Sequence, residues 1–279
     1  MSVIVTGSLI VTGSTFVGAG IVTDGLDFYY DPGNINSLLN PNFTSTTLIN
    51  NLKLGGYSSS LDPTTYVPGS GSIVSSSTIL TDFDSRNGGI IYISSSAAAN
   101  VSVANEIQKE VGTNYFSNRT QFTLGIWFLN TNSFTSVSGY GTLFHSLALL
   151  AANSQFQMWI NGNGGCSFNY SIPGFSTLAG SVTSQNPINK NSWHYYVLTF
   201  NNGILTAYTD NLTPNTSTGT QTYIKYSSIS KFLIAGKSAP NKGNMLGYMG
   251  PVQIYGRALT QQEVLQNYHT MKGRFGIYN

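Results

Sequence analysis

Residues 246–273, LGYMGPVQIYGRALTQQEVLQNYHTMKG, constrain the fold more tightly than any other stretch, because a short apolar strand runs directly into a capped helix. Met249, Val252, Ile254 and Tyr255 form the strand, and Gly250-Pro251 interrupts it. Proline has no amide hydrogen to give to a ladder, so the strand must bulge there or run along an edge. Thr260 followed by Glu263 is a capping box, in which hydroxyl and carboxylate satisfy amide hydrogens at the helix start for about 1 kcal/mol. Leu259, Val264, Leu265 and Tyr268 then recur at helical spacing, and Gly273 supplies a stop. A lone helix with one apolar stripe needs a sheet to lie on, and the rest of the chain is expected to supply it.

Strand signals fill that chain. Leu26 to Asn34, LDFYYDPGN, alternates and then turns at Asp31-Pro32-Gly33. Residues 35–77 are rich in Asn, Ser, Thr, Gly and Pro and read as loop. Ile79 to Ile93 reads as two strands joined at Asn87-Gly88, and residues 97–111, with Val101, Ala104, Ile107 and Val111 spaced around charged residues, read as a short helix. Strands follow at 122–129, 142–151, 155–160, 167–170 and 177–182, with a turn at Asn161 to Gly165 and Trp127 as a core aromatic. Trp193 opens another strand, Asn202-Gly203 turns it into residues 204–209, and a further return runs from Tyr223 to Ala235. So many short strands separated by tight turns fit two packed antiparallel sheets.

The first two dozen residues differ in texture. Val5-Thr-Gly-Ser, Val11-Thr-Gly-Ser and Val17-Gly-Ala-Gly form a small repeat whose apolar positions include Val5, Leu9, Val11, Phe16 and Val17. Such strokes cannot bury an apolar face alone. Two readings stay open: an arm lying along its own sandwich, or an oligomerisation and docking arm, since exposed strand edges invite pairing with another chain. The expected division is an arm over residues 1–24 and one sandwich over 25–279.

Composition removes several function classes. Charged residues make up 8% of the chain, against about 25% in an average soluble domain, and 12 Lys+Arg nearly balance 10 Asp+Glu. No basic stripe is available to neutralise phosphates, so nucleic acid is not an expected partner. Cys166, the single cysteine, excludes an intrachain disulfide framework and a thiolate-rich zinc site. No apolar run reaches the length of a membrane span, and no basic leader precedes an apolar stretch at the start, which agrees with cytosolic synthesis.

The segment GYMGPVQIYGRALTQQEVLQNY resembles the last strand and terminal helix of concanavalin A-like, laminin-G-like jelly-roll domains. The continuation HTMKGRFG resembles a tail found in versions of this domain carried by structural proteins of tailed bacteriophages. QFTLGIWFLN at 121–130, WHYYVLTFNNGILTAYTD at 193–210, FLIAG at 232–236 and LDFYYDPGN at 26–34 resemble further strands of that family, in the same order. The resemblance implies an all-β fold: a two-sheet antiparallel jelly-roll sandwich with a short C-terminal helix and an N-terminal β-rich arm. It also implies a non-enzymatic virion structural protein, a capsid decoration, spike or fibre component, made in the host cytoplasm. Its partners would be other virion proteins and copies of itself, a trimer by likeness to fibres. The alternative is a lectin-type adhesion module for host surface polysaccharide, and a glycan hydrolase ranks third.

The residues weigh against catalysis. Hydrolytic relatives on this fold carry carboxylates at alternate positions of one strand, and retaining cleavage needs them about 5 to 5.5 Å apart. Asp82 and Asp84 would share a face, but no third acid accompanies them, and no G-x-S-x-G elbow occurs. No cofactor is expected from the residues, and calcium, held by Asp and carbonyl oxygens in laminin-G-like domains, is the one exception the resemblance raises. Asp82 and Asp84 are its candidate ligands, although Phe83-Asp84-Ser85 lacks the Gly and second Asp of the family run. Asp210 fits a local turn better than a metal. His145, His194 and His269 are dispersed and read as surface residues. For sugar, Tyr140, Trp159, Asn161 and Asn163 are the candidates, an aromatic face flanked by amides. Trp159 has two readings, a platform or a ring turned into the sandwich, the second being preferred. A single site of about 1 mM is worth roughly −4 kcal/mol, and repetition on a particle can raise avidity by about 10² to 10⁴.

Overall fold

The computed structural model describes residues 20–31, 80–82, 90–93, 107–109, 116, 118–130, 141–148, 156–161, 164–171, 178–184, 188–210, 213–224, 229–234, 243–244 and 247–278. The strands are β1 (Leu26–Tyr30), β2 (Leu80–Asp82), β3 (Ile90–Ile93), β4 (Ile107–Lys109), β5 (Gln121–Asn130), β6 (Gly141–Ala148), β7 (Phe156–Ile160) and β8 (Cys166–Ser171). They continue with β9 (Leu178–Thr183), β10 (Trp193–Asn201), β11 (Ile204–Thr209), β12 (Asn215–Thr218), β13 (Ile229–Ile234), β14 (Gly243–Asn244) and β15 (Gly247–Tyr255), before helix α1 (Gln261–Lys272). Among the described residues they form two sheets. The larger runs β12-β11-β10-β5-β15-β3-β2 with β1 also on β15, and the smaller runs β4-β13-β6-β7-β8-β9 with β14 on β6. This is the expected jelly-roll-type sandwich with its C-terminal helix.

The central strands β5 and β10 of the larger sheet are buried on both faces, which explains why they read as nearly continuous apolar runs instead of alternating. Phe122, Leu124, Ile126 and Phe128 of β5 and Tyr196, Leu198 and Phe200 of β10 face the smaller sheet, meeting Met158, Ile160, Phe168 and Val182. Trp127, Tyr195, Val197 and Tyr255 face the other way, into a second core closed by Leu259, Val264, Tyr268 and Met271 of the helical segment and by Phe275. Trp127 is fully buried there, stacked on Tyr195 at 5.0 Å, Tyr268 at 5.6 Å and Phe275 at 4.5 Å. Gly250 makes room for this stack, since a Cβ would lie 2.9 Å from Trp127 Cβ and 3.0 Å from Phe275.

Gly250 and Pro251 form the expected irregularity. Register against β5 shifts by one residue between Met249 and Val252, and on the other edge of β15 the partner changes from β3 to β1 across the same point. The proline sits where pairing is already interrupted, so its missing amide hydrogen costs no ladder bond.

The capping box forms: Glu263 N–H donates to Thr260 Oγ1 at 3.3 Å, and Thr260 N–H donates to Glu263 Oε2 at 2.8 Å. Arg257, also paired with Asp24 at 2.9 Å, donates to both Glu263 oxygens. The arginine bonds, ahead of those from Thr260, lower the Glu263 carboxyl to about 2. Thr123 fixes the strand-to-helix corner by donating to the Arg257 carbonyl at 2.8 Å and accepting from Leu259 N–H at 2.9 Å. Asn267, fully buried, then ties helix to N-terminal segment. Its oxygen accepts from Val22 N–H at 2.8 Å, its amide donates to Tyr255 Oη at 2.9 Å, and Tyr255 donates onward to the Val22 carbonyl at 3.0 Å.

One expected element is corrected and one strand lies where no element was expected. Residues 107–109, placed within a helix, form β4, because pairing with β13 outweighs a weak helical spacing. Asn215–Thr218, with no apolar residue to flag it, is a strand whose ladder with β11 carries it. The α-helix stops with Gly273 as its C-cap, as expected, but Gly273 keeps right-handed helical backbone and starts a 3-10 turn; Gly276, at φ 76°, takes the left-handed position. One flank of the sandwich is stitched shut, with Asn215 Nδ2 donating to the Thr183 carbonyl at 2.6 Å and Thr220 N–H to the Ala179 carbonyl at 2.7 Å.

Gly250→Ala is expected to destabilise the fold by about 1–3 kcal/mol through overpacking against Trp127 and Phe275, read from the denaturant midpoint at unchanged slope. Glu263 contributes stability that is complete above its ordinary pKa of 4.5 and is lost as pH falls through about 2. Glu263→Gln is therefore expected to flatten the stability profile across that window, and an unchanged acid limb would show that the ion pair contributes nothing.

Candidate functional site

The two outer faces of the sandwich are unequal. Helix α1 and residues 20–24 occupy the outer face of the larger sheet, where Gln266 Nε2 also donates to the Gly20 carbonyl at 2.8 Å. Three described aspartates are engaged in ion pairs on that side. Asp24 pairs with Arg257, Asp27 with Arg119 at 3.6 Å, and Asp31 with Arg274 at 2.8 Å. Carboxylates engaged in this way hold the chain ends together and do not line a cleft.

On the smaller sheet, strand alternation decides direction. Met158 and Ile160 of β7 are fully buried between the sheets, so Trp159 between them lies on the outer face, part-exposed. The preferred expectation, a ring turned inward between the sheets, is thus not met, although the indole nitrogen itself is buried. By register Trp159 lies opposite Thr142 on β6 and Ser167 on β8, and Ser167 lies opposite Thr183 on β9. Asn161 closes the β7–β8 turn: its Oδ1 accepts from Gly165 N–H at 2.9 Å, and its Nδ2 donates to Ser167 Oγ at 3.0 Å. Ser167 Oγ meets Thr183 Oγ1 at 2.8 Å, so amide and hydroxyls form a relay across three strands beside the ring. Gly164, at φ 79°, permits the turn. Tyr140 and Asn163 lie outside the described residues, as do Val5, Leu9, Val11, Phe16 and Val17.

Asp82 is on β2, at the end of the larger sheet, with its side chain outside the described residues, where Asp84 also lies. Among the described residues no group of three or more His, Cys, Asp or Glu could hold a metal ion. Asp210 is turned to local use at φ 57°, its Oδ1 accepting from Tyr195 N–H at 2.9 Å and its Oδ2 meeting His194 Nδ1 at 3.0 Å. His194 is buried, contrary to its expected surface position. Its Nε2 is 3.0 Å from both the nitrogen and the oxygen of Asn189, so the ring pins the β9–β10 connection to β10. An isolated histidine in an apolar strand carried no signal for that role; its partner, the Asp-Asn at the hairpin end, lies 16 residues away. Burial pushes the Cys166 thiol well above its ordinary value, which leaves it protonated and unreactive. No helix among the described residues is long and apolar enough to cross a membrane.

The profile of the laminin-G-type concanavalin A-like lectin/glucanases superfamily matches residues 96–265. The chain belongs to that superfamily. No curated protein matches it. Among solved structures, the receptor-binding domain of botulinum neurotoxin C/D mosaic serotype is similar with a TM-score of 0.59 at 11% identity, covering 89% of this chain and 52% of that one. The receptor-binding domain of botulinum neurotoxin D is similar with a TM-score of 0.58 at 12% identity, covering 88% and 53%. At these identities the likeness is one of fold, and the chain spans about half the length of each.

Asp210→Asn, which keeps a residue tolerant of the left-handed backbone, is expected to cost about 1 kcal/mol as charged hydrogen bonds become neutral. Thermal unfolding checks it, and loss of the same size in His194→Ala with no further loss in the double variant would place both residues in one unit.

Proposed function

We propose that this chain is a non-enzymatic structural protein of a bacteriophage virion, a capsid decoration, spike or fibre component, that presents a lectin-like sandwich at the particle surface. The observation that carries the reading is the polarity of the domain. Residues 20–24 and the C-terminal helix are bound together on one outer face, while the smaller sheet faces the opposite direction. An arm with a Val-Thr-Gly-Ser repeat attached at one face would leave the other pointing outward. Described carboxylates spent in ion pairs at the chain ends support a binding role over hydrolysis.

The second reading, recognition of host surface polysaccharide, is compatible with the first and is favoured by the Trp159 relay. Receptor-binding domains of toxins use the same fold, and weak single sites suffice when many copies act together.

Removing residues 1–19 keeps the Val22–Asn267 ties and tests the arm. The full chain is expected to form a discrete homo-oligomer, a trimer on the fibre analogy, and the shortened chain a folded monomer by light scattering. An unchanged oligomeric state would refute arm-driven assembly. A glycan array with the full chain tests the second reading, and release of reducing ends from any polysaccharide would overturn the non-enzymatic assignment.

A further inference from the structure

Resting on the arm-driven assembly proposed above, we propose that the seat formed by helix α1 and Tyr255 is a receptor for an Ile-Val-Thr segment, and that on assembly it takes that segment from the arm of a second copy of the chain. The tripeptide occurs at residues 4–6, 10–12 and 21–23 and nowhere else in the sequence. Its third occurrence is docked in the seat. Val22 is buried in the second core, and Ile21 packs against that core. Gln266 Nε2 donates to the Gly20 carbonyl at 2.8 Å, Val22 N–H donates to Asn267 Oδ1 at 2.8 Å, Tyr255 Oη donates to the Val22 carbonyl at 3.0 Å, and Arg257 Nε donates to the Asp24 carbonyl at 3.3 Å.

All four bonds are made by side chains to main-chain atoms, so they are blind to the sequence they hold. Selection rests on the apolar pair Ile21-Val22, and Ile4-Val5 and Ile10-Val11 supply the same pair in the same order. An arm repeat can therefore take over these contacts one for one. Asp24 is the group the repeats do not reproduce, having Gly7 and Gly13 in its place. Its carboxylate is 87% exposed and Arg257 keeps Glu263, so little is lost with it. Tyr255 and Asn267 are fully buried, and an empty seat would leave their polar atoms short of partners, which favours exchange over vacancy. The resident segment is also shallow: within residues 20–24 only Val22 is buried, as in parts of a fold that open at low cost. Once released, residues 13–25 can span up to about 45 Å between the repeat at 10–12 and β1, enough to reach an adjoining domain. In a closed ring each copy gives one segment and receives one. Contacts are conserved copy for copy, so crowding of copies on a particle favours the exchanged form.

The test mixes two preparations of the full chain, one with Leu9→Cys and one with Gln266→Cys, oxidises them in the folded state and maps the bridged peptides by mass spectrometry. Leu9 precedes its Ile-Val-Thr as Gly20 precedes the docked one, so exchange brings it to Gln266. Cys166 is fully buried and does not compete. A bridge between the two substituted positions is expected at about ten times the yield obtained when Gln266→Cys is replaced by Ser181→Cys, at an exposed position of β9 on the smaller sheet. Val5→Asp together with Val11→Asp should abolish both the bridge and the oligomer and leave thermal unfolding unchanged, since Ile21-Val22-Thr23 remains to fill the seat. Equal yields at the two positions, or an oligomer that survives both aspartates, would overturn the receptor, and arm-driven assembly would still stand if removal of residues 1–19 gives a monomer. Bridging within single monomeric chains that carry both Leu9→Cys and Gln266→Cys, without bridging between chains in the mixture, would overturn the second copy as the donor. A full chain that stays monomeric at every concentration would overturn both readings.

Discussion

The structure depends on burying the central strands of the larger sheet twice. β5, β10 and β15 supply one face to the inter-sheet core and the other to helix α1 and Phe275. Large side chains on both faces of one strand are costly to leave wet, at about 25 cal/mol per Å² of apolar surface. Trp127 shows the consequence: without the helix, a fully buried ring stacked on three others would be solvent-exposed. The helix is a required layer of the fold, although it has only 12 residues.

That layer is fixed in position by polar groups as much as by apolar contact. Tyr195 donates to Gln253 at 2.6 Å within the buried face, and Gly125 leaves the space for it, since a Cβ there would lie 3.0 Å from the tyrosine oxygen. Thr123 uses both donor and acceptor capacity to join segments more than 100 residues apart, and Asn267 accepts from Val22 N–H, 245 residues away, while donating to nearby Tyr255. Burial pushes the phenols of Tyr195 and Tyr255 upward, so they stay neutral and available as donors through the physiological range. In a chain with few charges, such neutral networks fix one docking geometry, because any alternative leaves a buried group unpartnered.

The same layer gives the domain a direction. Three arginine–carboxylate pairs bind the first described segment to distant parts of the chain, and all lie on the helix side. Among the described residues, the outer side of β7–β9 carries Trp159 and the neutral groups of Asn161, Ser167 and Thr183.

The terminal strand, its interruption at Gly250-Pro251 and the capping box were legible in the sequence because each depends on local chemistry: a missing amide hydrogen, an apolar period, a hydroxyl and carboxylate at fixed spacing. Hairpins at 161–165 and 202–203 were legible for the same reason, since Asn and Gly tolerate the left-handed backbone these turns require. What the sequence by itself determined was therefore the kind of elements and most of their order. Tertiary structure alone decided that residues 107–109 pair instead of coiling and that Asn215–Thr218 becomes a strand, because ladder partners far along the chain supply the free energy. It also decided that His194 is buried against Asp210, and that Trp159 faces outward. Side-chain direction on a strand depends on which face the neighbouring sheet covers, and that is a property of two packed layers that no single segment encodes.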